Sequence, residues 1–196
     1  MNSRMNPQMN SQMNPQMNQE MVNPVMNKEM NSPMNEVMVN QEKMGMKDEN
    51  IMKIVDELNI CLANLNILFI KLHNFHWNVV GMGFFDMHEK TQELYEQVAL
   101  MLDTVAEKIR MYGYNPLASM QSYLKVGTIK EAPSENINAT TIANIIEEDF
   151  EHMLMGARKL DEMAKDTMDE CLINIIADAM CFYQKNIWMM NAYKTR

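Results

Sequence analysis

Three of the four histidines and a spaced pair of acids share one forty-residue stretch, KLHNFHWNVVGMGFFDMHEKTQELYEQVALMLDTVAEKIR, residues 71–110. The histidines are His73, His76 and His88; the acids are Asp103 and Glu107. Imidazole nitrogens combined with carboxylate oxygens form a mixed ligand set, which suits iron, manganese or zinc better than magnesium or calcium. The spacing constrains how such a set is assembled. Asp103 and Glu107 are four apart and lie one above the other on a helix. His88 precedes Asp103 by fifteen residues, which is roughly 22 Å along a helix axis at about 1.5 Å per residue. One helix cannot bring both to a single ion. An antiparallel second copy, related by a two-fold axis near residues 95–96, sets His88 of one chain level with Asp103 of the other. The two-fold makes that meeting twice, giving two identical sites per dimer. His76, at the end of the preceding helix, is placed to fold over onto His88.

The elements that must position these groups are helices. Leu94, Val98, Leu102, Val105 and Ile109 recur at steps of three and four, which predicts a second helix over about 86–111. A first helix is expected from about Glu49 to Val79, with Ile54, Leu58, Leu62, Leu65, Leu68 and Leu72 on a broad apolar face. Gly81 and Gly83 break the chain between the two. A stop signal follows at Tyr112-Gly113-Tyr114-Asn115-Pro116. Leu117–Asn138 reads as a long connection with room for a short helix near 117–124. A third helix is expected over about 140–165, with Thr140 and Thr141 as capping residues, and a fourth over about 167–193. A long crossover of this kind preserves the topology of a four-helix bundle.

HNFHWNVVGMGFFDMHEK followed by LDTVAEKI resembles the Dps family of mini-ferritins, and WMMNAY resembles the end of that family's last helix. The resemblance covers about residues 51–196. It implies an all-α, ferritin-like four-helix bundle, assembled as a homododecameric hollow shell. It further implies a ferroxidase centre across a dimer interface, with His76 and His88 from one subunit and Asp103 and Glu107 from its partner. The cofactor-like substrate is then non-haem Fe2+/Fe3+. Ferrous iron is oxidised by H2O2, less well by O2, and ferric mineral is stored as a defence against oxidative stress. One position departs from the family: Gln92, four after His88, stands where Asp or Glu is usual. An amide is a poor, neutral iron ligand, so the second iron position lacks its carboxylate; Glu89, Glu93 or water are the substitutes at hand. Trp77 is either a wall of the metal site or an interface aromatic, and His73 is a lining residue or an auxiliary ligand.

Composition narrows the rest. The chain has 196 residues and a formal net charge of −9. Residues 1–49 carry Lys/Arg and Asp/Glu in a ratio of four to six, and the remainder thirteen to twenty. Phosphate binding needs clustered Lys and Arg, so DNA binding is expected to be weak or absent despite the family's name. No apolar run is long enough for a membrane span, and the N-terminus lacks the apolar core of a secretory signal. Cys61, Cys171 and Cys181 have no metal-ligand spacing and are read as buried free thiols, consistent with a cytoplasmic protein. Residues 1–49 form a degenerate MNPQMNSQ repeat punctuated by Pro7, Pro15, Pro24 and Pro33. This reads as a disordered Met/Asn-rich tail, ahead of a bundle over 50–196. The tail is a plain solvated extension, a Cu(I)-binding thioether array, an oxidant sink or an attachment segment.

Two further clusters need weighing. Asp149-x-x-His152 has the Glu-x-x-His spacing of intrabundle di-iron sites, but no mate occurs on the fourth helix. Asp166, Asp169 and Glu170 sit where that helix begins; they are either ordinary N-terminal acids or an acidic pore that concentrates Fe2+. The competing functional reading is a non-catalytic shell or partner-binding protein that works through its Met-rich tail and binds metal only weakly.

Overall fold

In the computed structural model the described residues are 49–195. The Met/Asn-rich tail, apart from Glu49, lies outside them. Helix α1 spans Glu49–Asn78 and α2 spans Phe84–Met111. A short α3, Met120–Val126, lies in the connection; α4 spans Ala139–Ala164 and α5 spans Glu170–Lys194. The long helices pair as α1 with α2 and α4 with α5, and α1 also packs on α4. This is the four-helix bundle expected from the periodicity. No described helix is long and apolar enough to cross a membrane.

The apolar stripe of α1 supplies much of the core. Ile54, Leu58, Leu65, Leu68, Leu72 and Phe75 are essentially inaccessible, and each such side chain contributes about 1.5–3 kcal/mol on burial. From the opposite pair, Ile142, Ile146 and Phe150 on α4 meet Leu172, Ile176 and Tyr183 on α5 in the same core. Phe150 packs edge-on to Phe182, with ring centroids 5.5 Å apart.

The helix ends differ from the sequence reading in instructive ways. Helix α1 stops at Asn78 because Val79–Val80 (β1) pair in parallel with Ile137–Asn138 (β2). Two residues per strand are too few to show a period in sequence. Asn138 then caps α4, its Oδ1 accepting from the Thr141 amide at 2.9 Å, so the cap is neither Thr140 nor Thr141. Ser119 caps α3 by accepting from the Ser122 amide at 3.2 Å, which shifts that helix to 120–126. Asp169 caps α5, accepting from the Leu172 amide at 3.0 Å, and a single 3-10 turn, Lys165–Thr167, links α4 to it. Gly83 must be glycine at the start of α2. Its φ is +82°, and a Cβ built there would lie 1.9 Å from the Tyr193 hydroxyl.

Asparagines on α1 hold the long crossover. Asn59 Oδ1 accepts from the Leu117 amide at 2.9 Å, and Asn64 Oδ1 from the Thr128 amide at 2.7 Å. Asn74 Nδ2 donates to the carbonyls of Ala132 and Pro133 at 3.2 and 3.0 Å. A chain with little regular structure thereby satisfies its main-chain polar groups against one helix.

Candidate metal centre

His76 lies in the last turn of α1 and His88 in the second turn of α2, on either side of the Gly81/Gly83 corner. The corner stacks the two rings, with centroids 3.7 Å apart and planes inclined by 19°. His76 Nδ1 contacts the His88 carbonyl oxygen at 2.8 Å, and His88 Nδ1 contacts the His76 carbonyl oxygen at 2.7 Å. A carbonyl can only accept, so each Nδ1 carries the proton and donates. The lone pair of each ring is then on Nε2, the protonation state that a metal ligand requires. The buried Thr91 hydroxyl donates within the same turn, 2.7 Å from the Met87 carbonyl and 3.0 Å from that of His88. Phe84 stacks on His88 at 5.2 Å, and Tyr95 meets His76 edge-on at 5.5 Å. Both imidazoles are half-buried.

Asp103 and Glu107 are exposed on α2, one turn apart and far along the helix from His88. Neither has an ion-pair or hydrogen-bond partner among the described residues. Within one chain, no group of three or more His, Cys, Asp or Glu gathers to hold a metal among the described residues. One protomer therefore presents two imidazoles at the N-terminal end of α2 and two carboxylates toward its C-terminal end.

His73 belongs to the wall of the imidazole pair. Its ring stacks on Tyr95 at 3.9 Å and its Nδ1 donates to the Phe69 carbonyl at 2.9 Å. Trp77 is 70% exposed, and Ile70 on α1 and Phe85 and Leu100 on α2 are also exposed.

The rival intrabundle pair is spent elsewhere. Asp149 forms an ion pair with Lys71 at 2.6 Å, and His152 Nε2 lies 2.7 Å from the Thr128 hydroxyl. Burial raises the Asp149 carboxyl above its ordinary range, although Lys71 pulls it down. A cavity of about 550 Å³ does lie between the helices beside Cys61, Met101, Met153 and Tyr183. Its walls are mainly apolar, and Glu57 at its edge is tied to Lys159.

The acids at the start of α5 also resolve into separate roles. Asp169 accepts from Lys108 Nζ at 2.6 Å and from the Tyr112 hydroxyl at 2.7 Å. Burial alone would raise its carboxyl, but the Lys108 ammonium, the Leu172 amide and the Tyr112 hydroxyl hold it down to about 2. Asp169 is a structural cap, which leaves only Asp166 and Glu170, both exposed, for any pore. Lys71 and Lys108, almost fully buried, were not singled out from sequence. The available signal was a lysine inside an apolar helical stripe, beside Leu68, Leu72 and Phe75 in the first case.

The cysteines divide. Cys61 packs against the core, where burial pushes its thiol up to about 12. Cys171 and Cys181 are exposed on the protomer rather than buried, because they lie on the outer side of α5.

The helical bundle is that of a ferritin-like protein, and comparison with known proteins agrees. A model of the ferritin-like domain matches residues 55–196. The chain is 36% identical over 141 residues to DNA protection during starvation protein 2 of Bacillus anthracis, covering 72% of this chain and 96% of that one. It is 34% identical to the DNA protection during starvation protein of Helicobacter pylori, covering 72% and 99%. The crystal structure of a Dps protein from Bacillus brevis superposes with a TM-score of 0.73 at 31% identity, covering 76% of this chain and all of that one. The Dps protein of Vibrio cholerae O1, described as a member of a broad superfamily of ferritin-like diiron-carboxylate proteins, gives 0.72 at 30% identity, covering 75% and 92%. The chain belongs to the Dps family of ferritin-like proteins.

Proposed function

We propose that this protein is a ferroxidase and iron-storage mini-ferritin. Its site is completed only when two protomers pair, with His76 and His88 from one and Asp103 and Glu107 from the other. Ferrous iron is the substrate. The imidazoles anchor it as neutral ligands through Nε2, and the carboxylates favour the harder ferric ion, which lowers the potential for oxidation. In net stoichiometry, summed over the sites of the assembly, two ferrous ions, one peroxide and two protons give two ferric ions and two waters. Peroxide and ferrous iron are thereby removed together. The product collects as mineral inside a twelve-subunit shell, in the cytoplasm.

The observation that carries this reading is the reciprocal bonding of His76 and His88, which frees both Nε2 atoms where the described residues gather no complete site within one chain. Exposed apolar side chains, Ile70 and Trp77 on α1 and Phe85 and Leu100 on α2, supply area for pairing. Membership of a family whose V. cholerae relative is described as a ferritin-like diiron-carboxylate protein adds support. An acidic chain without a basic cluster favours iron chemistry over DNA binding.

The test is anaerobic addition of Fe2+ followed by H2O2, with ferric absorbance as the readout. Rapid oxidation, abolished by His88→Ala and by Asp103→Ala, is the expected result. Wild-type protein that leaves ferrous iron untouched would refute the reading and favour a non-catalytic shell protein.

A further inference from the structure

The carboxylates nearest His88 in sequence are turned to other tasks. Glu89 and Glu93 line a separate cleft with Asp86, Lys90, Met189 and Tyr193, between the start of α2 and the end of α5. Glu93 is also paired with Lys90 at 3.0 Å. On the face of His88, one turn further along, stands Gln92, whose Nε2 donates to Glu96 Oε1 at 2.9 Å. The position next to the imidazole pair thus offers a neutral amide, and the following carboxylate is already engaged by that amide.

Charge then limits how many ions a site can hold. Two carboxylates from the partner neutralise one dication, and two imidazole nitrogens with two to four carboxylate oxygens fill its coordination. A second dication at the usual separation of about 3.5–4 Å would bring two further positive charges, and the next carboxylate on that face, Glu96, lies a turn beyond Gln92 and is engaged by its amide. Water can complete its coordination but not its charge.

We infer that each intersubunit site holds a single tightly bound divalent ion, and that Gln92 sets this count by placing an amide bonded to Glu96 where a second ion would need a carboxylate. The inference rests on the intersubunit reading above and adds the stoichiometry of the site.

Anaerobic Co2+ titration of the assembled wild-type protein, read by visible ligand-field absorption and by metal analysis after dialysis, tests it without any oxidation step. One ion per subunit is expected. Gln92→Glu should raise the count to two, and Gln92→Leu, which has neither charge nor amide, should leave it at one. Two tight ions in the wild type, both lost in His88→Ala, would overturn the single-ion site while leaving the intersubunit reading intact. A Gln92→Glu variant that still binds one ion would equally overturn it. No bound Co2+ in the wild type, or binding that survives both His88→Ala and Asp103→Ala, would overturn the intersubunit reading and this inference with it.

Discussion

His76 and His88 fix each other: each imidazole donates its Nδ1 proton to the other residue's main-chain carbonyl, at 2.8 and 2.7 Å. The same pair of bonds joins α1 to α2 across the glycine corner and sets both rings in the state that can bind metal. Substituting either residue therefore does more than delete one ligand. His88→Ala also removes the stacking partner of His76 and the bond to the His76 carbonyl, leaving the His76 ring held only by its bond to the main-chain carbonyl of residue 88. His76→Ala and His88→Ala should each lower Co2+ affinity by about 100-fold or more, beyond what loss of one supporting contact costs. Equilibrium dialysis measures this; a loss below about tenfold would mean that the pair is not a metal anchor.

The carboxylate half should behave differently. Asp103 and Glu107 are exposed and unpartnered within the chain, so Asp103→Asn should leave the melting temperature of the apoprotein within about 2 °C, as expected for surface changes. It should nevertheless abolish most ferric absorbance after peroxide addition. A variant that melts normally and oxidises iron at the wild-type rate would remove Asp103 from the site.

The bundle's outline was legible in the sequence, and so was the folding of His76 over onto His88. Apolar steps of three and four placed four long helices, and the fifteen-residue gap kept His88 and Asp103 apart on one helix. Where helices start and stop was less legible, because caps are single side-chain bonds: Asn138 caps α4 where the sequence offered Thr140 and Thr141, and Asp169 caps α5 two residues after the expected start at 167. Invisible altogether was the β1–β2 bridge, since two residues carry no period. The fates of Asp149 and Gln92 were also hidden. Each depends on a partner, Lys71 or Glu96, that only folding or side-chain orientation selects.

Asp169 predicts how the fold responds to acid. Its carboxyl is held at about 2 by Lys108, Leu172 and Tyr112, below the ordinary value of about 3.9. A depressed carboxyl stabilises the fold above its unfolded value, and the contribution is lost as pH falls from about 4 through 2. Asp169→Asn keeps an oxygen for the cap but not the charge. It should lower stability by about 2 kcal/mol at neutral pH and flatten the stability profile between pH ~4 and ~2, measured by urea denaturation. An unchanged acid limb would contradict the assignment.

Lys71 and Asp149 pair inside the bundle, with side-chain exposures of 3% and 12%. Lys71→Ala leaves the carboxylate buried and alone, and should cost about 3–5 kcal/mol. Lys71→Met with Asp149→Leu replaces both charges by apolar groups of similar size, and should restore most of the loss or exceed wild type. A double variant no more stable than the single would show that the pair itself, rather than its desolvation, supports the fold.

The claim on which the rest depends is that two chains build one site, and subunit mixing measures it directly. One variant, His76→Ala/His88→Ala, lacks the imidazoles; another, Asp103→Ala/Glu107→Ala, lacks the carboxylates. Each alone should be inert toward Fe2+ and peroxide. After joint unfolding and reassembly, every mixed dimer regains one intact site and keeps one empty of ligands. About a quarter of the wild-type ferric absorbance should then return, given random pairing. Inert parents and an equally inert mixture, with mixed dimers shown to be present, would contradict a shared site, as would full activity in either parent.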